Sequence, residues 1–317
     1  MKTVSYVFPI FNEEGNIPVL YDTLLRTIEP IAARYAFEFV FVNDGSVDGS
    51  LDLLEELRAA DDRIVVVNFA RNFGHQIAVT AGMENAVGDA VIIMDSDLQD
   101  PPAVSLELIE RWEEGYDVAY AQRRSRQDSA FKKATASAYY RMLSRVAEVE
   151  IPRNTGDFRL LSRRVVDVLK RYPEHNRFVR GMVASLGFRQ VAVEFDRHDR
   201  HAGETGYPLR KMLKLAGDGI IGFSTFPLRV ITRLGFLFAA LSIVGAMYVA
   251  GARLFGLGSA VAGWTFLVVV VFFVSAVQLI VLGVLGSYIG RVYTEVQGRP
   301  LYIVESVRSA REHPSEQ

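Results

Sequence analysis

The sequence predicts an α/β domain built on a doubly wound, mainly parallel sheet, followed by a pair of membrane-spanning helices. Three observations carry this. Short apolar, β-branched runs alternate with helix-patterned stretches from Thr3 to about Tyr120. Carboxylates and small polar residues collect where those runs end, and two long uncharged apolar runs fill the last third of the chain. With 317 residues, 50% of them hydrophobic, and a net charge of −2, there is room for one or two domains, and mean hydropathy of +0.16 is high for a soluble enzyme. Cysteine is absent, which excludes disulfides and thiolate metal sites. Near-neutral charge, without zinc-finger spacing or an aromatic-basic RNA motif, argues against nucleic acid as a partner. No charged-then-apolar leader precedes the Thr3–Phe8 run, so the first domain is expected in the cytoplasm.

Strands are expected at Thr3–Phe8, Phe37–Val42, Arg63–Asn68, Asp89–Met94 and Asp117–Tyr120, with helices near Asn16–Tyr35, Ser50–Ala60, Gln76–Ala86 and Ala103–Glu114. The first strand ends in Pro9-Ile10-Phe11-Asn12-Glu13-Glu14, not in a Gly-x-Gly-x-x-Gly turn, which counts against a dinucleotide cofactor. The second ends in Asn43-Asp44-Gly45-Ser46-Val47-Asp48-Gly49-Ser50. There Asp44 can accept hydrogen bonds from a nucleobase or ribose; a turn whose Ser50 or Asp48 caps the next helix is the plainer reading. Arg71-Asn72-Phe73-Gly74-His75 reads as a loop and helix entry, and His75, with no partner at metal-ligand spacing, reads as structural or as a support behind residues that touch the ligand.

The fourth run delivers Asp95-Ser96-Asp97 at its C-terminal end, where ligands bind in an open α/β sheet. Two aspartates one residue apart on such a turn can both reach a hard divalent cation, which takes oxygen ligands and shares them with a diphosphate. Gln99 can add a carbonyl oxygen. Asp100, before Pro101-Pro102, is a good helix start, but that explanation leaves Asp95 and Asp97 unaccounted for.

Beyond the fifth strand come Arg123, Arg124, Arg126, Lys132, Lys133, Arg141 and Arg145, with Asp128 the only acid among them. A charge run is usually a solvated face, but one so nearly single-signed in a slightly acidic chain suits phosphates or an anionic membrane surface. Asn154–Leu161 reads as a polar turn into a short apolar run, in which Asp157 is either a catalytic carboxylate or, on its own terms, a turn residue paired with Arg159. Arg197–Tyr207 is either an exposed connection into the next helix or a lid carrying Arg200 to a phosphate, while His198 and His201 lack a third metal ligand.

Leu209–Leu228 mixes basic and apolar residues as helices lying in a membrane interface do. Leu234–Ala252 and Trp264–Ile289 each approach the length needed to span a bilayer. Arg229 and Arg233 precede the pair, Arg291 and Arg299 follow it, and only Arg253 lies between, which puts both outer ends in the cytoplasm. The expected organisation is a cytoplasmic domain over 1–207, interfacial helices over 208–230, a transmembrane hairpin over 231–290 with spans near 234–254 and 264–289, and a cytoplasmic tail over 291–317. Gly283 and Gly286 permit close helix contacts and a homo-oligomer, a tetramer included.

In order along nearly the whole chain, Phe8-Pro9-Ile10-Phe11-Asn12-Glu13-Glu14, Val42-Asn43-Asp44-Gly45-Ser46, Arg71-Asn72-Phe73-Gly74, Asp95-Ser96-Asp97-Leu98-Gln99-Asp100-Pro101-Pro102, Asn154-Thr155-Gly156-Asp157-Phe158-Arg159 and Leu285-Gly286-Ser287-Tyr288-Ile289-Gly290-Arg291 stand out. Together they resemble the motifs of bacterial polyprenyl-phosphate glycosyltransferases, relatives of dolichyl-phosphate mannose synthase within glycosyltransferase family two. The resemblance implies a GT-A fold, a nucleotide-sugar donor, Mg²⁺ or Mn²⁺, and undecaprenyl phosphate as acceptor at the bacterial inner membrane. By the same likeness Pro9, Glu13, Asp44 and Asp95 hold the nucleotide, and Asp95, Asp97 and Gln99 serve the metal. Arg123, Lys132 and Arg200 meet phosphates, and Asp157 sits beside the reacting centre. UDP-glucose is the first expectation for the donor; relatives using N-acetylhexosamine, mannose or modified arabinose share the same skeleton.

Where relatives commonly read Gly-Glu-Ser-Lys-Tyr, this chain has Gly203-Glu204-Thr205-Gly206-Tyr207, so the lid's phosphate contact rests on Arg200. The Gln-x-x-Arg-Trp signature of processive polysaccharide synthases is missing, since Arg111-Trp112 is preceded by Leu108 and lies in another region. A non-catalytic scaffold or lipid-carrier translocation partner would have no need of Asp44, Asp95 and Asp97 at strand ends.

Overall fold

Strand β1 (Lys2–Ile10) divides its side chains between two cores: Val4, Tyr6, Phe8 and Ile10 enter one and Val7 the other, because successive Cβ atoms point to opposite faces of a sheet. The computed structural model describes residues 1–124, 152, 155–175, 177–196, 226–254 and 264–309. After β1 come α1 (Ile17–Ile28), β2 (Tyr35–Asn43), α2 (Ser50–Ala60), β3 (Ile64–Phe69), α3 (His75–Asn85), β4 (Ala90–Ile93), α4 (Val104–Glu113), β5 (Val118–Arg123) and β6 (Thr155–Ser162). Then follow α5 (Arg163–Leu169), α6 (Val179–Ser185), β7 (Gln190–Phe195), two long helices, α7 (Phe226–Leu254) and α8 (Trp264–Val296), and finally β8 (Val304–Arg308).

Among the described residues the sheet has eight strands in the order β7-β5-β6-β4-β1-β2-β3-β8. It is mainly parallel, as expected: β7, β5, β4, β1, β2 and β3 run the same way, while β6 runs antiparallel between β4 and β5, and β8 runs antiparallel to β3. The expected strands and helices of the first 120 residues are present with modest shifts at their ends, except that the first helix stops at Ile28, followed by a 3₁₀ turn over Glu29–Ile31, and Tyr35, expected to end that helix, opens β2. Thr155–Ser162 is a strand and not a polar turn. Its polar residues Asp157 and Arg159 are only 3% and 4% exposed, so burial there does not follow the apolar pattern that marks strands in a sequence. One core packs α1, α2 and α4 on an aromatic face where Phe8 stacks on Phe41 at 4.9 Å, and the other packs α3, α5 and α6. Each large side chain buried this way contributes about 1.5–3 kcal/mol.

Strands β4, β1, β2 and β3 are parallel, and Ile10, Asn43 and Asn68 lie in register. Their C-terminal ends therefore share one edge, the side on which open α/β sheets bind ligands. The sheet, β8 included, forms one compact unit; α7 and α8 belong to a second. In the second unit Phe238 and Phe273 meet edge to face at 6.0 Å. Among the described residues, Val270–Val296 is the one segment long and apolar enough to cross a bilayer, with mean hydropathy 2.4, and Val230–Gly245 is apolar but shorter. Lys132, Arg200 and residues 208–225 of the expected interfacial stretch lie outside the described residues.

Candidate active site

Strand β4 is wholly buried and its chain emerges at Asp95. Two residues beyond, Asp97 Oδ1 accepts the Gln99 N–H at 3.1 Å across Leu98, whose φ of +57° is left-handed. For a branched side chain that conformation costs about 1–2 kcal/mol, a strain typical of ligand-binding turns. Asp97 is buried, whereas the Asp95 side chain is 31% exposed, with its Oδ1 buried and without a hydrogen-bond partner among the described residues. Burial, reinforced by the charges of Asp157, Asp100 and Asp97 and opposed by His75, pushes the Asp95 carboxyl up to about 6. Crowded carboxylates with a buried oxygen lacking a donor fit a hard divalent cation. Among the described residues no three His, Cys, Asp or Glu side chains converge to hold an ion by themselves, so such a cation would complete its shell with carbonyl, phosphate or water oxygens. Asp100 does not cap α4: Ala103 occupies that position with no side-chain cap, and Asp100 lies 3.5 Å from Arg123 Nη2.

Because β6 is antiparallel to β4, with Arg159 opposite Ile93, its first residues lie beyond the end of β4. That reversal carries Asp157 to the edge where Asp95 stands. Arg180 donates to Asp157 through Nε (2.7 Å to Oδ1) and Nη2 (3.2 Å to Oδ2), and Gln76 Nε2 donates to Oδ2 at 2.9 Å. His75 Nε2 is 3.1 Å from Asp157 Oδ2 and 3.6 Å from Asp95 Oδ1, linking the two carboxylates. Burial alone would raise the Asp157 pKa, but the His75 bond and the Arg180 and Arg159 cations hold it well below the carboxylate range. Burial lowers the His75 pKa, and the bond to Asp157 with the charges of Asp95 and Asp157 more than reverses this. Buried Arg159 is lowered to about 10 by desolvation, against the pull of Asp157, and its Nη2 donates to the Gly156 carbonyl at 2.9 Å. The partner of Asp157 is thus Arg180, not Arg159.

At the ends of β1 and β2, Pro9 is buried beside Val42. The Glu13 N–H donates to Ser50 Oγ at 2.9 Å, and Asn12 Oδ1 accepts the Val47 N–H at 2.9 Å. Gly49 is the N-cap of α2, without a side-chain cap; Asp48 Oδ1 instead accepts the Ser50 N–H at 3.1 Å. Asp44, 3% exposed, accepts the Phe73 N–H on Oδ1 at 2.6 Å and the Gly74 N–H on Oδ2 at 2.9 Å. Its pKa is raised by burial against those bonds. Carboxylate oxygens accept more than one hydrogen bond each, so Asp44 both pins the loop after β3 and keeps capacity for a ligand.

Sequence reasoning did not assign His75, Gln76 and Arg180 to the site. The first two open α3 just past the C-terminal end of β3, a position at the ligand-binding edge that is a usable signal. Arg180 lies on a short helix 23 residues from Asp157, and no local pattern marks it.

Residues 5–169 match Glycosyl transferase family 2. Over 302 residues the chain is 47% identical to the uncharacterized glycosyltransferase YkcC of Bacillus subtilis (strain 168), covering 95% of this chain and 93% of that protein. It is 41% identical over 307 residues to the prophage bactoprenol glucosyl transferase homolog of Escherichia coli (strain K12), covering 96% and 99%. The solved mannosyltransferase PcManGT from Pyrobaculum calidifontis, in complex with GDP-Man and Mn²⁺, aligns with 90% of this chain and 86% of its own at a TM-score of 0.46 and 14% identity. The chain belongs to glycosyltransferase family 2, and its mixed α/β sheet is the GT-A-like domain of a glycosyltransferase.

Proposed function

We propose that the enzyme transfers a sugar, glucose from UDP-glucose in the first instance, to undecaprenyl phosphate with inversion at the anomeric carbon. The observation that carries this reading is the meeting of Asp95 and Asp157 through His75 at one sheet edge: a carboxylate set fit for a cation adjoins an anchored cluster of cations. The bactoprenol glucosyl transferase names of full-length relatives support a polyprenyl phosphate acceptor.

A lipid phosphate with a second pKa near ~6 is already largely dianionic at neutral pH, so it needs positioning and desolvation more than deprotonation. Asp157 suits that requirement. Buried and held well below the carboxylate range, it is a poor proton acceptor and a good anchor for Arg180 and His75. Arg180, with Arg123, Lys132 and Arg200, offsets the repulsion between donor and acceptor phosphates. Asp95, Asp97 and Gln99 would hold Mg²⁺ or Mn²⁺, which when bound neutralises charge on the departing nucleoside diphosphate. Pro9, Glu13 and Asp44 line the nucleoside side. In a single in-line displacement the bond from the acceptor phosphate oxygen forms as the bond to the diphosphate oxygen breaks, which inverts the anomeric centre.

In our reading the enzyme works at the bacterial inner membrane. Phe236, Met247, Phe272, Leu279 and Ile289 on α7 and α8 are all more than half exposed, a surface that lipid covers and water does not favour. Strands β7 and β8 precede and follow the two long helices yet lie in one sheet, which supports reading the helices as a hairpin that enters and leaves the membrane on the same side. Gly283 and Gly286 have open space where a Cβ would be, which suits close packing against another copy in a homo-oligomer.

The deciding experiment incubates detergent-purified protein with undecaprenyl phosphate, Mg²⁺ or Mn²⁺ and a panel of UDP- and GDP-sugars, with mass spectrometry of the lipid. A metal-dependent lipid phosphosugar from one donor, lost in Asp97→Ala, is expected. No product from any donor alongside intact nucleotide binding would remove undecaprenyl phosphate as the acceptor.

A further inference from the structure

We infer that β8 and the residues leading into it from the second long helix position the nucleotide loops, with Glu305 on the strand and Tyr302 just before it as the positioning residues. The inference rests on the reading of Asp44 as a donor-site residue.

Two lines of contact run from this segment to the turn at Asp44, Gly45 and Ser46. In the first, Glu305 Oε2 accepts from Asn68 Nδ2 at 2.9 Å, Asn68 Oδ1 accepts from Asn43 Nδ2 at 2.7 Å, and Asn43 Oδ1 accepts the Ser46 N–H at 3.2 Å. Asn43 and Asn68 are 2% and 7% exposed, so neither amide has ready recourse to water. An ionised carboxylate only accepts hydrogen bonds. Glu305 therefore fixes which way Asn68 faces, Asn68 fixes Asn43, and Asn43 presents its oxygen, not its NH₂, to the loop. Without that acceptor the buried Asn68 amide is left unsatisfied and free to flip, which would set NH₂ against NH₂ and release Ser46.

The second line is apolar. The Tyr302 ring stacks on Phe69 at 5.0 Å, Phe69 meets Phe73 edge to face at 5.6 Å, and the Phe73 N–H donates to Asp44 Oδ1. The Tyr302 hydroxyl also bonds Glu84 on α3, but it is the ring, not the hydroxyl, that carries the stack. Pairing between β3 and β8 is irregular between Asn68 and Phe69, and the Ala70 N–H donates to the Ile303 carbonyl at 3.1 Å. The strand thus adjusts its register where both lines begin. The lines close on one turn from two sides, and Gly45 sits between them with backbone against backbone: a Cβ there would lie 2.5 Å from Arg71 C and Asn72 N.

The test uses the full chain in detergent. Calorimetric titration with UDP and with GDP in the presence of Mn²⁺ gives nucleotide affinity, and steady-state assays give KM for donor and acceptor separately. Glu305→Leu and Tyr302→Leu are expected to weaken nucleotide binding about tenfold, the factor carried by ~1.4 kcal/mol, with acceptor KM unchanged. Glu305→Gln, which keeps an acceptor, and Tyr302→Phe, which keeps the stack, are expected to bind as the parent does. Glu305 is exposed, so its substitution decides the matter if Tyr302→Leu does not fold. Unchanged nucleotide affinity in folded Glu305→Leu overturns the inference, and so does an equal loss in donor KM, acceptor KM and kcat, the mark of an ordinary edge strand. Failure of the parent chain to bind either nucleotide overturns the donor-site reading itself, and this inference with it.

Discussion

Arg180 grips Asp157 with two hydrogen bonds, Nε to Oδ1 at 2.7 Å and Nη2 to Oδ2 at 3.2 Å. The pair is the hub of the site, because His75 and Gln76 fasten to the same carboxylate. A carboxylate bound this way is a fixed anion that holds cations in position, and its affinity for a proton is low.

Substituting Asp157 with Asn removes the anchor while keeping the shape. Loss of fixed geometry at a reacting centre costs about 10²-fold in rate, and that fall in kcat is expected for Asp157→Asn. Raising the pH from about 7 to about 9 should not restore it, since in this reading no proton acceptor has been lost. A pH–rate profile decides: recovery at high pH would make Asp157 the general base.

Asp95 is perturbed in the opposite direction. Its folded pKa is raised to about 6, so its favourable contribution to folding is complete below the unfolded value near ~3.9 and is lost as pH rises through about 6. At about pH 8 the ionised carboxylate costs at most about 3 kcal/mol in the absence of a cation. Without divalent metal, Asp95→Asn should therefore melt above the parent at about pH 8, with the difference fading towards about pH 4. Added Mn²⁺ should raise the melting temperature of the parent and not of the variant. Thermal denaturation with and without chelator measures both; a variant that melts below the parent at the higher pH would mean that Asp95 is stabilising in its own right.

The alternation of apolar runs and helical patterns made the first five strands legible, and the strand ends after β1, β2 and β4 pointed to the Pro9, Asp44 and Asp95 loops. What could not be read was direction. Nothing in Thr155–Ser162 says that it inserts antiparallel between β4 and β5, and that reversal is what brings Asp157 beside Asp95. A strand with Asp157 and Arg159 turned into the protein reads as a turn, since the burial of Asp157 depends on Arg180, 23 residues away, which local sequence does not mark. Strand β8 was hidden likewise: Val304–Arg308 is short and partly charged, as exposed edge strands often are.

Membrane topology has a direct check, because the chain contains no cysteine and any cysteine introduced is a sole reporter. Val47, 90% exposed, lies in the sheet domain, and Ser259 lies in the sequence between α7 and α8. A membrane-impermeant maleimide added to intact spheroplasts is expected to label Ser259→Cys and not Val47→Cys, and the pattern should reverse in inside-out vesicles. Labelling of both from the same face would rule out a hairpin crossing.

Two glycines separate loop geometry from core packing. A Cβ at Gly82 would sit 2.2 Å from Val7 Cγ1 and 3.2 Å from Val42 Cγ2, where α3 rests on β1 and β2. Those neighbours are side-chain atoms inside a filled core, so Gly82→Ala should cost about 1–3 kcal/mol of stability through overpacking. The three atoms nearest that Cβ belong to strand residues Val7 and Val42 and not to the Asp44 turn, and donor KM in the folded fraction should stay unchanged. Gly45 differs on both counts. Its φ of +68° is left-handed, and the atoms a Cβ would strike at 2.5 Å are backbone of the loop after β3. Relief requires that loop to move away, which lengthens the bonds from the Phe73 and Gly74 N–H groups to Asp44. Gly45→Ala should therefore raise donor KM about tenfold or more, the consequence of losing at least one charge-assisted bond of ~1.5–3 kcal/mol. Melting temperature and donor KM measured side by side distinguish the two. A Gly45→Ala variant that loses stability but keeps the parent's donor KM would show that the Asp44 turn does not set donor affinity.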